Sequence, residues 1–117
     1  MKIKDIKESL CGMFKIEASV GDDLQLHNLV YDSRKIGLGD LFVAISGNKL
    51  DGHSFVPAAI EKGAASVVVE HYLPNLPPDF PQLITKDSRI ALSQLSALWY
   101  NYPDRKMRLV GVTGTNG

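Results

Sequence analysis

Apolar and polar positions fall into blocks whose period switches along the chain. Ile3, Ile6 and Leu10 recur at helical spacing ahead of Gly12, which predicts a short amphipathic helix over residues 2–10. Leu29-Val30-Tyr31 and Leu41 to Ile45 read as strands separated by the turn-like Gly37-Leu38-Gly39-Asp40. The second is almost wholly apolar, as a strand covered on both faces would be. From Ser54 to Gly63 the pattern is helical again: Ser54 is placed to cap, Pro57 lies in the first turn, and Gly63 ends the helix. Ser66 to Glu70, centred on Val67-Val68-Val69, predicts a buried strand. Four prolines between Pro74 and Pro81 then predict an extended loop, and Gln82 to Thr85 a short strand.

The strongest helix follows, capped by Asp87 or Ser88. Ala91, Leu95, Leu98 and Tyr102 fall at steps of four, three and four, and Pro103 stops it. Met107 to Val112 is a final strand feeding a run of glycines. Strands alternate with helices and no repeat is present. That order predicts one α/β layered domain, with a mostly parallel sheet flanked by helices. The order of strands within the sheet is not legible.

Charge removes several functions from consideration. The 117 residues carry 13 basic and 13 acidic side chains, spread evenly and without a charged tail, so a nucleic-acid footprint is not expected. The lone Cys11 forbids an internal disulfide and fits a reducing compartment. Met1 to Ser9 does not resemble a signal peptide, and no apolar stretch approaches membrane-spanning length. A cytoplasmic monomer without membrane contact is therefore expected. His27, His53 and His71 are scattered without metal-ligand spacing, which argues against zinc. Trp99 and Tyr100 are expected to pack against the core. Arg105, Lys106 and Arg108 read as a solvated connection.

Three segments could carry chemistry. Leu109 to Gly117 is a strand entering a glycine-rich turn, which lets backbone N–H groups converge on phosphate oxygens. It lacks the Lys and Ser/Thr of a full phosphate loop, and Gly114 lies three residues before Gly117 rather than five. Taken alone, such a strand and glycine run is more often a plain turn. In Tyr31 to Asp40, Ser33 offers a hydroxyl at a strand's carboxyl end while Arg34 and Lys35 offer charge-assisted donors for an anion. The same residues would also make an ordinary Asp-Ser turn with two solvated cations. Ser46 to His53 again follows a strand, and its glycines permit close ligand approach while Asn48 can pair with a base edge or hydroxyl. It too could be a bare turn.

Together these segments resemble the Mur ligases of bacterial peptidoglycan synthesis. The resemblance is carried by Asp32-Ser33-Arg34-Lys35, Gly39 to Ala44, Gly47, Asp51-Gly52-His53 with Phe55, Ala59, and Gly63-Ala64. It continues through Asp87, Arg89, Ala91-Leu92 and Leu95 to Gly111 through Gly117. The endings around Tyr100, Pro103 and the final glycines favour the branch adding a diamino acid, meso-diaminopimelate or L-lysine. The D-alanyl-D-alanine-adding branch is the alternative, and a stand-alone α/β phospho-ligand module is another.

The resemblance implies a three-domain, ATP-dependent amide ligase. Residues 1–106 would be its first domain, binding UDP-N-acetylmuramoyl-L-alanyl-D-glutamate by the UDP end. Residues 107–117 would open the central ATP-binding domain. It further implies that Tyr31, Ser33, Asn48, Lys49 and Leu50 contact the uridine diphosphate. Gly114, Thr115, Asn116 and Gly117 would match the start of the ATP phosphate loop. ATP and Mg2+ would serve the whole enzyme, with catalytic groups and metal ligands beyond Gly117.

Overall fold

A computed structural model describes residues 1–10, 12–17, 23–46, 51–77, 79–101 and 109–110. Among these residues the elements run α1 (Ile3–Ser9), β1 (Lys15–Glu17), β2 (Leu29–Val30), a first 3₁₀ turn (Ser33–Lys35) and β3 (Leu41–Val43). A second 3₁₀ turn (Gly52–Phe55) leads into α2 (Val56–Glu61). Then come β4 (Ser66–Val69), β5 (Gln82–Ile84), α3 (Ser88–Tyr100) and β6 (Leu109–Val110). The described strands form a sheet in the order β1-β5-β4-β3-β2-β6. Four neighbouring pairs are parallel, and β1 alone runs antiparallel, against β5. The expected mostly parallel α/β layering is what the chain adopts.

Alternation within the strands explains why both faces need covering. Leu29, Leu41, Val43, Val68 and Leu83 meet Ile3 and Ile6 of α1 and Ala91, Leu95 and Trp99 of α3. Their neighbours Val30, Phe42, Ala44, Val67 and Val69 point the other way, onto Val56 and Ala59 of α2. Successive side chains on a strand leave opposite faces, so an unbroken apolar run requires helices on both. No helix among the described residues is long and apolar enough to cross a membrane.

Several boundaries differ from the sequence pattern for local reasons. Asp87 caps α3, accepting the N–H groups of Arg89 at 2.9 Å and Ile90 at 3.2 Å. Ser54 does not start its helix: Asp51 caps three residues earlier, because a 3₁₀ turn precedes α2. Ser54 instead donates its hydroxyl to the Asp51 carbonyl at 2.7 Å. Trp99 packs as expected, but Tyr100 is 77% exposed. One residue turns the helix by about 100°, carrying Tyr100 off the face that Trp99 buries. Strand β1 has no counterpart in the sequence expectations. The expected roles of Cys11, Tyr102 and Pro103, and the Arg105, Lys106 and Arg108 connection, lie outside the described residues.

Candidate functional site

A cleft of about 600 Å³ opens where β2 and β3 end. Parallel sheets gather ligands at this edge because the loops leaving the strands splay apart there. From the segment after β2 come Tyr31, Asp32, Ser33 and Arg34; β3 and its continuation give Phe42 and Ile45. The second 3₁₀ turn contributes Gly52 and Phe55, and the first turn of α3 contributes Arg89. Phe42, Ile45 and Phe55 supply apolar surface. Ser33 and the two guanidiniums supply polar groups, so the cleft can take a ligand with a flat apolar part and an anionic part.

Local hydrogen bonds place these side chains. Asp32 accepts the Arg34 N–H at 3.0 Å, shaping the first 3₁₀ turn, and also takes Arg34 Nε at 3.0 Å and Nη2 at 2.8 Å. The forked contact from Arg34 holds the Asp32 carboxyl down at about 2. Asp32 thereby orients the guanidinium on the cleft wall. Lys62 donates Nζ to the Ser33 carbonyl at 2.8 Å, tying that turn to the end of α2.

The second 3₁₀ turn lies hard against β3. Gly52 donates its N–H to the Ile45 carbonyl at 2.8 Å. A Cβ at Gly52 would come within 2.5 Å of the Ile45 nitrogen, so only glycine permits this approach. Asp51 accepts the His53 N–H at 3.0 Å and its Nδ1–H at 2.7 Å. Those two bonds, the backbone one foremost, lower the Asp51 pKa.

His53, 7% exposed, accepts the Glu70 N–H at Nε2, 2.8 Å away. That donor fixes the lone pair on Nε2 and the proton on Nδ1. The ring stacks on His71 with centroids 4.9 Å apart, so two histidines far apart in sequence meet in the fold. Glu70 receives the Ser46 hydroxyl and, from Ser88, the N–H at 2.8 Å and hydroxyl at 3.1 Å. The Ser46 contact leads in lowering the Glu70 pKa, the Ser88 N–H adds to it, and burial opposes both.

Of the residues singled out in the sequence, the fold brings Tyr31 and Ser33 to the cleft. Asn48, Lys49 and Leu50 lie outside the described residues, as do Gly114, Thr115, Asn116 and Gly117. Sequence reasoning did not assign Phe42, Phe55 or Arg89 to a site. A signal for Arg89 was present: it follows the Asp87 cap by two residues, in the first turn of a helix that starts beyond a parallel strand.

Comparison with known proteins gives one family. The profile described as "Mur ligase family, catalytic domain" matches residues 25–100. The chain is 45% identical over 96 residues to the UDP-N-acetylmuramoyl-L-alanyl-D-glutamate--2,6-diaminopimelate ligase of Parabacteroides distasonis, covering 82% of this chain and 20% of that protein. It is 38% identical over 117 residues to the same-named ligase of Chlamydia felis, covering 100% of this chain and 24% of that one. The chain thus spans about a fifth to a quarter of the length of these relatives. Among solved structures, MurF from Acinetobacter baumannii matches with a TM-score of 0.67 and 26% identity, over 82% of this chain and 20% of that one.

Proposed function

The chain belongs to the Mur ligase family, and we propose that its cleft holds the uridine diphosphate end of UDP-N-acetylmuramoyl-L-alanyl-D-glutamate. The observation carrying this is the composition of the cleft wall: Phe42, Ile45 and Phe55 on one side of the chemistry, Ser33, Arg34 and Arg89 on the other. A pyrimidine ring buries its faces against aromatic and aliphatic carbon. A diphosphate takes charge-assisted donors from guanidiniums and a hydroxyl. Tyr31, Asn48, Lys49 and Leu50 complete the proposed substrate contacts. Neutral overall charge is no obstacle, since Arg89 and the Asp32-paired Arg34 place guanidinium donors where the diphosphate would lie.

In the whole enzyme the proposed reaction joins a diamino acid to the D-glutamyl carboxylate, driven by ATP. The named ligases at 45% and 38% identity favour this branch over the D-alanyl-D-alanine-adding one. Residues 1–106 act as the substrate-anchoring domain and 107–117 as the entry to the ATP-binding domain. Gly114, Thr115, Asn116 and Gly117 start its phosphate loop. Mg2+ would serve with ATP in the whole enzyme, and among the described residues there is no group of three or more His, Cys, Asp or Glu able to hold a metal ion. This chain's own contribution is to bind and orient substrate, as a cytoplasmic monomer.

Calorimetric titration with UDP-N-acetylmuramoyl-L-alanyl-D-glutamate tests the assignment. Replacing both polar contacts, Ser33→Ala with Asn48→Ala, is expected to weaken binding at least tenfold, about one to two neutral hydrogen bonds' worth. Equal affinity of the double variant and the parent chain would remove the site.

A further inference from the structure

Glu70 stands just beyond β4 and does not line the cleft, yet its hydrogen bonds go to the elements that frame it. One carboxylate oxygen accepts from Ser46 Oγ at 2.5 Å, past the end of β3. The other accepts the Ser88 N–H and hydroxyl at the start of α3, at 2.8 and 3.1 Å. The Glu70 N–H donates to His53 of the second 3₁₀ turn at 2.8 Å. Arg89, covalently next to Ser88 and lining the cleft, returns to Ser46 by donating Nη2 to its carbonyl at 3.1 Å. Glu70, Ser46, Arg89 and Ser88 therefore close a ring.

We propose that Glu70 is a positioning residue for the nucleoside-diphosphate cleft, setting Arg89 through this ring, a role that rests on the assignment of the cleft above. The chemistry explains why an acid stands there. A carboxylate is acceptor-only, with room for about four donors, and three arrive from two separate elements. An apolar side chain would strand the Ser88 N–H and free α3 to shift relative to Ser46. Arg89, in the first turn of that helix, would move with it. A long flexible guanidinium binds a diphosphate well only when its rotamer is already chosen, because ordering it on binding costs affinity. Glutamine is the informative near neighbour. Its carbonyl can still accept from Ser88, and its amide can donate to a rotated Ser46 hydroxyl, so the ring survives with one bond reversed.

Calorimetry with UDP as the probe, on the 117-residue chain, separates this from a general loss of structure. Thermal unfolding of each variant sets a titration temperature at which it is folded. Glu70→Ala is expected to weaken UDP binding about tenfold, the order of one charge-assisted contact, and Glu70→Gln by less than about threefold. In an Arg89→Ala background Glu70→Ala should cost under about twofold, since the residue it positions is gone. Should Glu70→Ala not fold, Glu70→Asp, whose carboxylate is one methylene too short to reach both serines, should give the same Arg89-dependent loss. Unchanged UDP affinity in Glu70→Ala overturns the proposal, and so does a tenfold loss that persists in the Arg89→Ala background. If the parent chain does not bind UDP, the assignment of the cleft falls and this role with it. Binding by the parent that Glu70 does not influence defeats this role alone.

Discussion

At the amino ends of the parallel strands the chain is joined mainly through its own backbone; at their carboxyl ends the Glu70 carboxylate adds a side-chain joint to the backbone ones. Around Gly37 to Asp40 the His27 N–H meets the Gly39 carbonyl, the Gly39 N–H meets the Gly63 carbonyl, and the Ala65 N–H meets the Asp40 carbonyl, each at 2.8 Å. The one carboxylate there, Asp40, is 2% exposed and takes the Asn28 and Gly37 N–H groups at 3.1 and 2.8 Å. Gly39 has φ 84°, and a Cβ would sit 2.6 Å from the His27 ring. Backbone joined to backbone leaves little room between. Across the sheet, Asp32 and Asp51 each shape their own turn, Glu70 spans the gap between Ser46 and the start of α3, and the space left over is the cleft. One end closes on itself and the other leaves a cleft.

The contrast can be broken most directly at Asp40. Asp40→Ala takes the acceptor from two part-buried N–H donors, at about 1–3 kcal/mol each at most, so urea denaturation should show a loss of about 2–3 kcal/mol. UDP affinity, measured where the variant is folded, should stay within about twofold. A stability loss below about 1 kcal/mol would mean that the amino end is not the stronger joint. Arg89→Ala should give the converse. Its exposed guanidinium makes one bond to the Ser46 carbonyl, so stability should change by no more than about 0.5 kcal/mol while UDP binding weakens about tenfold. A variant that unfolds readily but binds normally would reverse the roles of the two ends.

The smallest effect is a pH dependence confined to the carboxyl end. Asp32, Asp51 and Glu70 all have lowered pKa values in the folded chain, Asp32 down to about 2. The unfolded chain therefore binds protons first as pH falls. The stability these carboxylates contribute is present above about pH 5 and drains away toward pH 2. Denaturation midpoints across that range should fall with pH, and Asp32→Asn should flatten the lowest part of the curve. An identical slope in Asp32→Asn would show that the Arg34 fork does not bear on folding.

What could be read from the sequence follows from how local its cause is. The α3 helix was legible because Ala91 and Leu95 repeat at its own period and Asp87 caps it from next door. The apolar blocks at Leu41 and Val67 announced strands covered on both faces. Ser33 was legible as a cleft residue because a strand's carboxyl end is a local property, whereas Tyr31 was singled out by the family resemblance alone. Strand β1 was not, since Lys15–Glu17 is a short mixed segment whose partner, Gln82–Ile84, lies far along the chain. Strand order was hidden for the same reason. Glu70 read as the polar end of a strand, and its importance came from Ser46 and Ser88, 24 and 18 residues away. Only the folded chain brings those donors to one carboxylate.

Helix α3 touches both ends of the contrast. Near its far terminus Trp99 donates Nε1 to the His27 carbonyl at 3.3 Å, while Ser88 at its start is gripped by Glu70. Thirteen residues at 1.5 Å each make it about 20 Å long. Clamped at both points, the helix works as a gauge block: its length, not the softer loops, sets how far Arg89 stands from the strand ends. A single residue inserted along it would swing one terminus about 100° relative to the other. The calibre of the cleft is thus written into the turn count of a helix whose apolar stripe looks purely structural.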